Sequence, residues 1–430
     1  MIRVLLIIIW VSLAWAARAT VVADSLYRTP LPNASVFDRH GRAAGICTAD
    51  GRMPYVSPPD YPITIRYIGY NEKVVEYADY DTIFLTENIT QLPDLVVNSK
   101  DKRMLHVLAY VREYSSVSTI TDTVTLFREK TVDFLLPLDT KTKMSGWAIP
   151  RVLDSKSYYR FTDYMGLDSV STRCNNHFSW GDWIGVIPHA ELPKSLMDKD
   201  MATDTVKGKF SATEIWNLRP DRLILDVDVL ADTTSRKWVP NLSRFFRNGL
   251  DFERFRISYI YGSPTDESVS PLNLNYYSFN IESNGRGLEM FKFNRRDQQF
   301  YVSTYGEVYI LDKQVISRKE AKRLERLDVA DLEVGIMVPE DAPALSEKTL
   351  ALIEQVDGID HDQARLGIVF DKRVGAFRDV HYSFGKAVLS RLKGMVGIDK
   401  LRGRYLVNRQ WKKFRSDYRT RHAADDRTEE

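Results

Sequence analysis

Leu223-Ile224-Leu225-Asp226-Val227-Asp228-Val229-Leu230 and Phe255-Arg256-Ile257-Ser258-Tyr259-Ile260-Tyr261 decide the fold class of most of this 430-residue chain. In both, apolar and polar side chains alternate at period two, which gives a strand one dry face and one wet face and does not fit a helical stripe. The same β-branched and aromatic chemistry returns at residues 124–127, 157–161, 276–281 and 299–311. Alternation of this kind belongs to antiparallel sheets. Residues 104–316 therefore read as a large antiparallel β-rich domain curved around a core, with a strongly bent half-barrel as one form of it.

Residues 20–85 have a different texture, with short β segments separated by turn chemistry. The strand Ala34-Ser35-Val36-Phe37 follows Pro30 and Pro32, which cannot donate to a ladder. Asp50-Gly51 supplies a tight turn, and Ile63, Ile65 and Tyr67 share one face of the next run. Short strands at this spacing suggest a β-sandwich.

Two spellings here, PLPNASVFD at 30–38 and TADGRMPYVSPPDYPITIRYIGY at 48–70, resemble the carboxypeptidase regulatory-like family. The resemblance implies a transthyretin-like sandwich over residues 20–97, with YDTIFLTENITQLPDLVV at 80–97 as its linker strand. It also implies a Bacteroidetes-type envelope protein, and it implies no catalysis, because this sandwich accompanies certain peptidases without carrying their zinc ligands. The chain departs from the pattern at Asn33, where the family has Gly, and at Met53-Pro54-Tyr55, which should be irregular or lie at an edge.

The amino terminus adds a location. Arg3 precedes the apolar run Val4 to Val11, and small residues follow at Ala14, Ala16, Ala17 and Ala19, so residues 1–19 read as a cleaved signal peptide. The mature protein is expected in the periplasm or at the cell-envelope surface of a Gram-negative bacterium, without a transmembrane span after cleavage. An oxidising compartment permits Cys47 and Cys174 to pair, but their separation favours two buried thiols. With 60 basic and 58 acidic residues the net charge is only +2, which argues against nucleic acid as a partner. Envelope protein, glycan or lipid remain as partner classes.

Past residue 316 the texture turns helical. Ser317-Arg318-Lys319-Glu320 spells a capping box, and a second helix is expected from Ser346 to Val356, closed by Asp357-Gly358. Residues 317–403 read as a helical region packed on the sheet, with a third helix near 384–392, and 404–430 as a basic and then acidic tail.

No reaction chemistry emerges from the motifs. The seven His form no metal-ligand spacing, Gly-x-Ser-x-Gly does not occur, and Gly285-Arg286-Gly287 is too short to cradle a phosphate and reads as a turn. No catalytic, cofactor or metal residue is assigned. Asp226 and Asp228 share a strand face and could act as a carboxylate pair, but exposure on the wet face explains them equally well. Trp180, Trp183, Trp216 and Trp238 are the candidate ligand-binding residues, since flat rings give large contact at low entropy cost. The reading is a non-catalytic exported protein with a binding or assembly role. The alternatives are a periplasmic carrier of apolar cargo in a half-barrel and a hydrolase with a carboxylate site in the second domain.

Overall fold

A computed structural model describes residues 20–77, 80–88, 102–119, 122–138, 147–163, 168–172, 190–197, 199–207, 213–228, 251–263, 268–286, 299–329, 332, 334–340 and 342–358. The chain divides into two units, Met1–Thr90 and Gln91–Glu430. The expected signal peptide, Cys174, the third helix and the tail lie outside the described residues.

The first unit holds six short strands: β1 (Val21–Asp24), β2 (Ser35–Phe37), β3 (Ala43–Ile46), β4 (Ile63–Arg66), β5 (Lys73–Val75) and β6 (Thr82–Leu85). β1 and β6 pair in parallel, and the other four form an antiparallel sheet in the order β3-β2-β4-β5. Two small sheets agree with the sandwich expected from the turn spacing. Within the segment read as a linker strand, Thr82–Leu85 forms β6 and pairs with β1, and residues 89–97 lie outside the described residues. Val22, Ala34, Val36, Cys47, Ile63 and Ile65 are all fully buried. Asn33 has φ 63°, a left-handed conformation that Asn tolerates better than most residues and Gly adopts freely. Gly51, at φ 74°, could not carry a side chain, because a Cβ there would lie 2.6 Å from the Val22 carbonyl.

The second unit is dominated by long strands: β7 (Lys102–Ser118), β8 (Asp122–Pro137), β9 (Trp147–Asp163), β10 (Asp168–Ser171), β12 (Ala202–Val206), β13 (Thr213–Leu218), β14 (Arg222–Asp228), β15 (Asp251–Gly262), β17 (Leu274–Arg286) and β18 (Gln299–Ser317). Among the described residues they make one antiparallel sheet of ten strands, in the order β10-β9-β8-β7-β18-β17-β15-β14-β13-β12. Its edge strands β10 and β12 do not pair with each other, so it is not a closed barrel. The dipeptide Gly285-Arg286, read as part of a turn, continues β17 and pairs with Phe300 and Gln299. A two-stranded ribbon of β11 (Ala190–Glu191) and β16 (Ser268–Val269) stands apart from the main ladder.

Among the described residues, two helices follow β18. α1 (Arg318–Arg326) starts from Ser317, whose side chain accepts from the Glu320 N–H while the Glu320 side chain accepts in return, which is the expected capping box. α2 (Glu347–Asp357) is capped by Ser346 and ends at Gly358. No helix among the described residues is long and apolar enough to cross a membrane.

Candidate functional site

Register fixes what each face of the large sheet carries. The pairs Ser155, Lys130, Val111, Val308, Tyr277, Tyr259, Leu225 and Trp216 follow one another across eight strands and so project to the same side. One residue further along, Lys156, Glu129, Arg112, Glu307, Ser278, Ser258 and Asp226 form the rung that projects to the other side.

The first face is apolar. Leu105, Val107, Val111, Leu126, Phe134, Trp216, Leu225, Ile257, Phe279 and Val308 belong to one continuous buried cluster, joined by Ala190, Leu192, Leu196 and Val269 from the ribbon and its neighbouring turn. Gly306 lets the Phe279 ring approach the strand closely: a Cβ there would sit 2.1 Å from the ring. Three phenols are sunk in the cluster, with Tyr259 5.9 Å from Tyr261 and 5.8 Å from Tyr277 between ring centroids. Burial pushes all three hydroxyl pKa values upward, so they stay protonated. The Tyr261 hydroxyl and the Ser283 hydroxyl on this face are buried and have no hydrogen-bond partner. Glu113 and Lys130 form an ion pair at 3.2 Å with both side chains fully buried, and the Ser115 hydroxyl donates to Glu113.

The second face is polar and aromatic. Tyr305 and Tyr309 donate to the two carboxylate oxygens of Glu307 at 2.9 and 3.1 Å. Arg112 donates to the Tyr110 hydroxyl at 3.0 Å, and Tyr110 in turn donates to Glu129. Burial works against the charge on Arg112, but the surrounding phenols and Glu307 outweigh it and hold its pKa above the usual value. Over β7 to β9 this face is covered by the chain that follows β18. Ala321 of α1 packs on Met104 and Leu135, and Val356 of α2 packs on Phe127 and Tyr158. Arg112 donates to the Pro343 carbonyl.

No family model and no curated protein matches this chain. Among solved structures, a lipovitellin studied for its lipid–protein interactions is similar over 50% of this chain and 26% of its own, at 7% identity and TM-score 0.24. An outer membrane channel from Pseudomonas putida F1 is similar over 50% of this chain and all of its own, at 8% identity and TM-score 0.12.

Of the four candidate tryptophans, Trp216 is fully buried in the apolar cluster, and its indole N–H donates to Glu214 at 3.0 Å. Trp180, Trp183 and Trp238 lie outside the described residues. The two strand carboxylates part company: Asp226 is 1% exposed and accepts from Ser258, while the Asp228 side chain is 45% exposed and lies 3.6 Å from Arg256. Asp226 therefore does not sit on a wet face. Its strand lies within the sheet, and period two distinguishes two faces without saying whether the second meets water. Among the described residues no group of three or more His, Cys, Asp or Glu could hold a metal ion. The Glu113–Lys130 pair and the Tyr–Glu–Arg cluster had no sequence signal, because their partners are joined only by cross-strand register.

Proposed function

We propose that this chain is an exported, non-catalytic binding protein of the cell envelope, with a carboxypeptidase regulatory-like sandwich at its amino end and an amphipathic lipid held against the apolar face of its large sheet. The observation that carries the reading is the Tyr261 hydroxyl, 1% exposed within a continuous apolar cluster and without a partner. A buried hydroxyl left unpaired costs about 1–3 kcal/mol. A pure folding core would be served as well by Phe. An ester carbonyl or carboxylate oxygen of a bound lipid would supply the missing acceptor, while its acyl chain would match the surrounding Leu, Ile, Val and Phe side chains.

The test is organic extraction of the protein purified from an envelope fraction, followed by mass spectrometry, with titration of a fluorescent fatty acid into the delipidated protein. A defined lipid near one equivalent, together with saturable binding, supports the carrier. A lipid-free protein that shows no saturable binding rejects it.

A further inference from the structure

On the face opposite the apolar cluster, the chain between the two anchored helices is held at Gly335, Met337 and Pro343 through main-chain atoms. The Thr131 hydroxyl donates to the Gly335 carbonyl at 3.0 Å and accepts from the Met337 N–H at 3.0 Å. The Arg112 guanidinium donates to the Pro343 carbonyl. One hydroxyl that serves the carbonyl of one residue and the N–H two residues later selects an extended backbone and reads no side chain. Exposure follows the same period of two from 334 to 337: Val334 and Ile336 are half-buried, while Gly335 and Met337 are exposed. Met337 and Val338 are 46% and 54% exposed, so these apolar side chains contribute little to the hold.

We propose that Thr131 and Arg112 mark a groove for an extended polypeptide, occupied here by the chain's own residues 334–343. The external partner it fits is a protein segment in extended form with apolar side chains at alternate positions. Arg112 is pre-set for a carbonyl by its bond to Tyr110, so little side-chain freedom remains to be lost on binding. The occupying segment has anchors beyond both of its ends, Ala321 and Val356, and can leave the groove without releasing either helix.

The experiment uses the full chain and a fluorescein-labelled synthetic peptide of residues 332–345. Met337→Pro removes the N–H that the segment gives to Thr131 while leaving the groove intact, and it changes an exposed side chain. The peptide is expected to bind this variant about fivefold more tightly than the native chain, the worth of roughly one hydrogen bond lost by the internal competitor. Adding Thr131→Val should remove that gain. In the native chain, saturating peptide should accelerate amide exchange across residues 334–343. Equal affinity for native chain and Met337→Pro, a gain that survives Thr131→Val, or exchange that does not respond to peptide would each overturn the groove.

Discussion

Replacing Tyr261 by Phe deletes one oxygen and tests the proposed ligand site from both sides. In the ligand-free protein the hydroxyl is buried without a partner, so removing it relieves a desolvation cost of about 1–3 kcal/mol, offset by roughly 1 kcal/mol for the small void left behind. The expected net is a gain of about 1 kcal/mol for the delipidated protein. In the lipid-bound protein the same change removes a hydrogen bond, so affinity should fall about five- to tenfold. Tyr309→Phe is the matched control, because that hydroxyl donates to Glu307 at 3.1 Å; its loss should destabilise by about 1.5–3 kcal/mol. Urea unfolding followed by tryptophan fluorescence is the assay. Residues 20–90 contain no Trp, so in a chain beginning at Thr20 the emission reports the second unit alone. If Tyr261→Phe destabilises the delipidated protein as Tyr309→Phe does, the hydroxyl has an acceptor within the fold and the argument for a ligand fails.

Gly306→Ala should cost about 1–3 kcal/mol in the same urea assay, since the new methyl meets the Phe279 ring at 2.1 Å and the ring must move. Glu113→Gln should cost about 3–5 kcal/mol by removing the carboxylate charge that faces the buried Lys130, whereas the double change Glu113→Leu with Lys130→Met should recover most of that loss; thermal melts of the three proteins decide it. Asp133 gives a pH signature. Burial favours its neutral form, but hydrogen bonds from His106 and Arg151 outweigh burial and hold its carboxyl below the usual 3.8. A depressed native pKa stabilises above the unfolded value and loses that contribution as pH falls through the folded one. Asp133→Asn should therefore cost about 2 kcal/mol at neutral pH, with the gap to native closing below about pH 4 in urea titrations run at stepped pH.

The sequence made the strands legible wherever one face was apolar and the other polar. β14, β15 and β18 are found at the residues whose alternation announced them, and the capping box at Ser317 and the Ser346 cap placed α1 and α2 because a cap is a local device. The full reach of β7 and β8 was hidden by Glu113, Arg128 and Lys130, charges that interrupt an apolar face and look like loop residues until register brings Lys130 to Glu113. Asp226 shows the complementary error: polarity on a strand is easily taken for exposure, and here the carboxylate is buried and accepts from Ser258. The groove at Thr131 was invisible because Thr131 and Gly335 are 204 residues apart and nothing in either neighbourhood refers to the other.

The order of the large sheet has a consequence for how the protein is made. β7, its earliest strand, takes its neighbour on one side from β18, its latest, and their ladder runs from Lys102 with Ser317 to Ser118 with Tyr301. The three-strand meander from β7 to β9 can form early, but one margin of it stays bare until β18, which begins 136 residues beyond the end of β9, has emerged. A bare strand of that length recruits other chains as readily as its own. Closing the middle of the sheet last makes folding slow by its distant pairing and ties it to completion of the chain. Truncation between β7 and β18 would therefore leave an aggregating fragment in place of a smaller domain.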